Sequence, residues 1–185
     1  MGNNTETATL AGGCFWCTET LFKRLKGVES VLPGYAGGHM ENPSYEDVCR
    51  GDTGHAEAIQ IKFDSAKITF ERILDIFWHT HDPTTLNKQG NDIGPQYRSI
   101  IFYHNEWQKK IAEISRDALE KEKVYRDRVV TEILPFKNFF VAEDYHKNYY
   151  DKNSGRAYCS ISISPKIHKL MEKYRDVVKE EYQPL

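Results

Sequence analysis

The chain is 185 residues long, 39% hydrophobic and 28% charged, with a formal net charge of −2; this fits one soluble domain, residues 1–185, able to bury a sizeable core. So even a balance gives no footing for nucleic acid or an anionic membrane as partner, and no apolar run approaches the roughly 18–20 residues of a transmembrane helix. The start, Met1-Gly-Asn-Asn-Thr-Glu-Thr7, has neither the basic end nor the apolar stretch of a signal peptide, and Glu6 stands where a myristoylation signal needs Ser or Thr.

A cytoplasmic location is therefore expected. There the four cysteines stay reduced and do not build a disulfide framework.

Taken in order, Thr5–Leu10 is a short β-compatible run. Gly12-Gly13 turns the chain into a helix in which Thr18, Leu21, Phe22 and Leu25 recur at i, i+3, i+4 and i+7. Cys14 then falls in the first helical turn. Free backbone N–H groups and the positive end of the helix dipole favour a thiolate there, below the free value of about 8.5. Cys17 shares that side of the helix. Val28–Tyr35 reads as a strand, followed by a loop rich in glycine at Gly37-Gly38. Ser44 is placed to cap a short helix with Asp47 three residues on.

The next strand, His55–Phe63, alternates, with Glu57, Ile59, Ile61 and Phe63 on one face. A carboxylate heading an apolar face is out of place, unless the strand ends there and Glu57 reaches water. Phe70, Ile73, Leu74, Phe77 and Trp78 give a strongly amphipathic helix over Thr69–His79, which His81-Asp82-Pro83 breaks. A loop from Leu86 to Pro95 leads to Tyr97 and a strand at Ser99–Tyr103. Trp107, Ile111, Ile114 and Leu119 mark a surface helix, Val129–Leu134 a short strand, and Phe139–Tyr150 a stretch both aromatic and polar. Ile167, Leu170, Met171, Tyr174 and Val178 describe a last amphipathic helix over 163–180, to about Lys179. Without repeats or linkers, the order of elements gives one α+β domain.

Three readings of Cys14-Phe-Trp-Cys17 follow from the residues alone. Cys14 is a nucleophile at a helix start, or a buried cysteine packed as a small hydrophobe. The C-x-x-C spacing also suits a redox dithiol. Zinc would need a second pair that the chain lacks, leaving Cys49, Cys159 and scattered histidines to complete a site. His39, His55, His79, His81 and His146, and equally Tyr45 and Tyr97, carry no signal singly.

Several motifs taken together are more specific. Gly13-Cys-Phe-Trp16, Pro33-Gly-Tyr-Ala-Gly-Gly38, Asn42-Pro-Ser-Tyr45, Gly51-Asp-Thr-Gly-His-Ala-Glu57, His81-Asp-Pro83, Gln89-Gly-Asn-Asp92 and Gln96-Tyr-Arg-Ser99 occur in the order found in the A-type peptide methionine sulfoxide reductases (the MsrA family), and the chain resembles that family from about Ala8 to Pro165. The resemblance implies a two-layer sandwich around a mixed sheet, with a ferredoxin-like core and long active-site loops. It implies reduction of the S-epimer of methionine sulfoxide, free or in proteins, without metal or organic cofactor, as protein repair after oxidation.

Residue by residue, the resemblance implies that the Cys14 thiolate attacks the sulfoxide sulfur and that Glu57 is the proton donor, its pKa raised by desolvation. Tyr45 and Tyr97 match phenols that bind the oxygen, Asp92 a carboxylate for the substrate N–H, and Phe15 and Trp16 the wall for the methyl group. The product sulfenic acid is resolved by a second thiol. Cys159 matches the usual position; Cys17 stands where many members have Gly and offers a nearer thiol. Cys49 has no necessary role. A glycine-rich tail with a further cysteine, found in some members, is missing. Thioredoxin is the implied reductant, and a monomer is expected.

Overall fold

The structure, a computed structural model, describes residues 4–183; the Met1-Gly2 start considered above lies outside them. The chain runs β1 (Thr5–Gly12), α1 (Phe15–Phe22), β2 (Val28–Ala36), α2 (Tyr45–Cys49), β3 (Ala56–Asp64), α3 (Phe70–Thr80), a small hairpin of β4 (Lys88–Gln89) and β5 (Asp92–Ile93), β6 (Ser99–Tyr103), α4 (Glu106–Lys121), β7 (Glu132–Pro135), β8 (Phe139–Val141), α5 (Tyr149–Asn153), a π-helical turn at Cys159–Ile163, and α6 (Ser164–Tyr174). The sheet order is β7-β6-β1-β3-β2-β8. Its middle, β6-β1-β3-β2, is antiparallel and is crossed by α1 and α3: this is the expected ferredoxin-like arrangement. The sheet is mixed because β7 lies parallel to β6; β8 adds antiparallel to β2 at the other edge.

Local chemistry starts these helices. Thr69 accepts the Arg72 N–H, Asn105 accepts the Gln108 N–H, and Ser44 forms a reciprocal capping box with Asp47. Alternation along β3 then sorts the layers. Ile59, Ile61 and Phe63 join Ala8, Leu10 and Ile101 beneath Phe22, Ile73, Phe77 and Trp78 of the helices. The reverse face carries a smaller cluster built on Ala11, Ala56, Ala58, Ile100 and Phe102. Each large apolar side chain buried this way contributes about 1.5–3 kcal/mol. No helix among the described residues is long and apolar enough to cross a membrane.

Several boundaries differ from the sequence reading. The last helix stops at Tyr174, not near Lys179, because the chain there exchanges main-chain bonds with the segment after α1. Lys26 N–H donates to the Val177 carbonyl, Lys179 N–H donates to that of Arg24, and Val178 bridges to Leu25. That same exchange ends α1 at Phe22, before Leu25. The strand expected from Val129 begins at Glu132, since Val130 N–H is taken by the Pro83 carbonyl. On α4, Trp107 and Ile114 are exposed, and the core-facing positions are Gln108, Ala112 and Leu119.

Candidate active site

Between β1 and α1 the chain turns through Gly13 at φ +85°, where a Cβ would lie 2.5 Å from the Gln89 side chain. Only glycine fits so tight a reversal under a neighbouring loop. The turn makes Cys14 the N-cap of α1, one position earlier than a first-turn residue, and its carbonyl receives the N–H groups of Cys17 and Thr18. The Cys14 and Cys17 thiols are buried and packed in one cluster. Cys159, carried in on the π-helical turn, is fully buried in the same cluster, together with Ile163. All four cysteines are free thiols, and Cys49 stands apart, exposed, at the end of α2.

The charge on this pair is not where the helix start alone would put it. Burial, the Cys17 thiol and the Glu57 charge push Cys14 well above the ordinary thiol value. Cys17 is drawn down to about 7, chiefly by the hydrogen bond from Cys14, with Lys166 opposing its desolvation. In a coupled pair one proton leaves early and the other late.

Glu57 lies on the covered face of β3 with Ile59 and Ile61, as alternation predicted, and does not reach water: it is 2% exposed. Its Oε2 accepts the Phe15 N–H at 2.9 Å, a bond that favours the anion. Burial outweighs that bond and raises the carboxyl to about 8, so at neutral pH it is mostly a neutral acid. Tyr45 and Tyr97 both feel the Glu57 charge, and burial with that charge raises both phenols, keeping them as O–H donors. Tyr97 also packs against the thiol cluster. Cys14, Glu57, Tyr45 and Tyr97 thus converge: one sulfur and three protonated donors.

Phe15 and Trp16 separate. Phe15 is buried in the core, 5.7 Å from the Tyr35 ring, while Trp16 is half-buried and stacks on Tyr149 at 3.6 Å. The indole N–H donates to His146 Nδ1 at 2.9 Å, so the ring proton sits on Nε2, which is fully buried with no hydrogen-bond partner and lies 3.7 Å from Glu143. Burial lowers the His146 pKa and keeps the ring neutral. Glu143 in turn accepts from the Tyr35 hydroxyl and the Tyr45 N–H, each at 2.8 Å. Asp92, on β5, accepts the Tyr158 hydroxyl at 2.8 Å.

The nine residues singled out in the sequence therefore surround one place, except that Phe15 supports it from the core. Four neighbours were missed: His146, Tyr149, Tyr158 and Lys166. For His146 and Tyr149 the one signal was the mixed aromatic and polar composition of 139–150, which gives no partners; Tyr158 and Lys166 had none. Among the described residues no group of three or more His, Cys, Asp or Glu side chains is arranged to hold a metal ion.

Comparison with known proteins gives a consistent result. A family model described as peptide methionine sulfoxide reductase matches residues 6–178. The peptide methionine sulfoxide reductase MsrA of Saccharolobus solfataricus is 59% identical over 174 residues, covering 94% of this chain and 97% of that protein. Among solved structures, Mxr1 of Saccharomyces cerevisiae in reduced form superposes with a TM-score of 0.79 at 36% identity, covering 84% of this chain and 90% of that one. Mxr1 in complex with Trx2 superposes with a TM-score of 0.57 at 26% identity, covering 80% and 87%.

Proposed function

The chain belongs to the peptide methionine sulfoxide reductase family, and on that footing we propose how its residues divide the reduction of the S-epimer of methionine sulfoxide, free or within proteins. It is an oxidoreductase that returns methionine sulfoxide to methionine by oxidising its own thiols, which thioredoxin then reduces.

Cys14 sulfur attacks the sulfoxide sulfur. Negative charge builds on the oxygen as the S–O bond weakens, and the Glu57 carboxyl hands its proton there while the Tyr45 and Tyr97 hydroxyls donate hydrogen bonds. The adduct collapses to methionine and a Cys14 sulfenic acid. A second thiol, Cys159 or Cys17, displaces the hydroxyl as water and leaves a disulfide. Trp16 offers the apolar wall for the methyl group, Phe15 backs it from the core, and Asp92 accepts the substrate N–H. No cofactor enters the scheme. The site acts in a cytoplasmic monomer that repairs oxidised proteins, a compartment in which three buried thiols stay reduced between turnovers.

One observation carries the reading: a buried carboxyl, Glu57, held at 2.9 Å by the N–H of Phe15, the residue next to Cys14, with burial raising it to about 8. An acid of that pKa is still protonated at neutral pH, as a donor to a leaving oxygen must be. The decisive experiment is a single turnover without reductant on separated epimers, with methionine formed and thiols lost both counted. About one methionine per enzyme from the S form, with two thiols lost, is expected. Methionine from neither epimer would sink the reading.

A further inference from the structure

Cys159 joins Cys14 and Cys17 on a single π-helical turn, Cys159–Ile163, wound immediately ahead of α6. Such turns are rare and tend to stand at functional sites, and this one is held by side chains from outside it. We propose that Tyr150 and Ser164 are positioning residues for Cys159: acting on its carbonyl, they hold the turn that presents the Cys159 thiol to Cys14 for resolution of the sulfenic acid.

The contacts form a closed path. The Cys159 carbonyl accepts twice from Ser164, from its N–H and from its hydroxyl, the latter at 3.2 Å. A serine hydroxyl has one proton to give. With that proton committed to Cys159, the 3.1 Å contact between the Tyr150 hydroxyl and Ser164 Oγ has the phenol as donor. The Tyr150 ring packs against the thiol cluster itself, and the Arg24 guanidinium lies over it at 5.5 Å and over the Tyr182 ring at 4.6 Å. Arg24 is itself fixed: it donates to the Thr20 carbonyl of α1 at 2.6 Å and to Asp151 of α5 at 3.3 Å. The path from Cys159 through Ser164, Tyr150 and Arg24 thus returns to α1, the helix that Cys14 caps. At the other end of the turn the Tyr158 hydroxyl donates to Asp92 at 2.8 Å, so the Cys159 backbone is held from both sides.

The step that needs this placement is closure of the disulfide. The Cys159 sulfur attacks the sulfenic sulfur of Cys14, the S–S bond forms as the S–O bond breaks, and the hydroxyl leaves as water with the Cys159 thiol proton. Its rate follows the fraction of time in which the two sulfurs face each other. A π-turn holds one residue more than an α-turn within each hydrogen-bonded loop, so relaxation to an α-helix would change the direction in which Cys159 points. The Ser164 and Tyr150 hydroxyls oppose that relaxation. Methionine release comes earlier and uses neither of them.

The assignment rests on the reading of Cys159 as a resolving thiol, so the test uses Cys17→Ser, in which Cys159 is the one resolving thiol left in the cluster. Methionine release and disulfide closure are timed separately in a single turnover without reductant. Adding Tyr150→Phe, which keeps the ring over Arg24, is expected to slow closure about fivefold, and adding Ser164→Ala roughly twentyfold, the scale of one and of two net hydrogen bonds. Methionine release should match that of Cys17→Ser in both, and Ser164→Thr, which restores the hydroxyl, should restore closure. A second readout needs no substrate: alkylation of the buried Cys159 by iodoacetamide in the reduced protein, located by peptide mapping, should quicken in Ser164→Ala and not in Ser164→Thr. Closure as fast with Ser164→Ala as without it, or methionine release slowed as much as closure, would overturn the proposal. So would a Cys17→Ser protein that releases methionine and closes no disulfide. Methionine from none of these proteins would overturn the reductase reading instead, and alkylation would then decide alone: unchanged protection of Cys159 in Ser164→Ala would sink the positioning role.

Discussion

The Tyr158 hydroxyl donates to Asp92 at 2.8 Å, so the residue next to the Cys159 thiol already occupies a group assigned to substrate. Its ring also meets Trp16 edge-on at 5.7 Å. In this closed arrangement the phenol occupies the acceptor that a substrate N–H would use. Tyr158→Phe keeps the ring and removes the competitor. It is expected to lower KM for free methionine sulfoxide about fivefold, the equivalent of ~1 kcal/mol for one net hydrogen bond. Steady-state kinetics check this, and a raised KM would mean that the hydroxyl helps to hold the substrate.

That contact also marks the limit of what the chain announces by itself. The β1-α1-β2-β3-α3-β6 core was legible because period-2 and period-3.6 patterns are local, and the same alternation put Glu57 on the apolar face while leaving open whether it reaches water. The capping box at Ser44 was legible too. The packing of Cys159 against Cys14 and Cys17 was not, because it arrives only on the π-helical turn that leads into α6. Trp16 meets His146 across 130 positions of sequence, and a single histidine announces no such partner. The end of α6 at Tyr174 was hidden for the same reason: main-chain bonds to Arg24 and Lys26 override the apolar period that continues to Val178.

Glu57→Gln tests the proton donor. The rate of methionine formation should fall by about 10²–10⁴, the range usual for a general acid. Its shape should change as well. In the wild type the rate rises as the thiol pair ionises near 7 and falls as the Glu57 carboxyl ionises near 8, which gives a narrow optimum between them. Glutamine has no proton to lose, so the alkaline fall should vanish while the acid limb remains. A full rate in this variant at every pH would remove Glu57 from the mechanism.

The same substitution should strengthen the fold. Glu57 titrates at about 8 in the folded chain and near ~4.3 when unfolded, so between those values the folded state holds a proton that the unfolded state has released. Stability contributed by the neutral acid is complete below ~4.3 and is lost as pH rises through about 8. Glutamine keeps an acceptor for the Phe15 N–H and carries no charge. Urea unfolding should show Glu57→Gln level with the wild type near pH 4 and more stable by a few kcal/mol near pH 9 (the scale set by ~1.4 kcal/mol for each pKa unit). Parallel pH profiles for the two proteins would show that Glu57 does not ionise in place.

Resolution of the sulfenic acid has two thiols, Cys17 and Cys159, packed with Cys14 in one buried cluster. Neither is indispensable on this geometry. After one turnover without reductant, Cys17→Ser should still lose two thiols, through Cys159, and Cys159→Ser should do the same through Cys17. Cys17→Ser/Cys159→Ser has lost both partners; it should form methionine once and stop with a sulfenic acid on Cys14 that a dimedone probe traps and peptide mapping locates. Burial raises the Cys159 thiol, and Cys17 lies closer to the thiolate state, so the disulfide that appears first in the wild type should be Cys14–Cys17. A rapid-quench map in which Cys14–Cys159 precedes it would mean that proximity on the π-helical turn outweighs thiolate character.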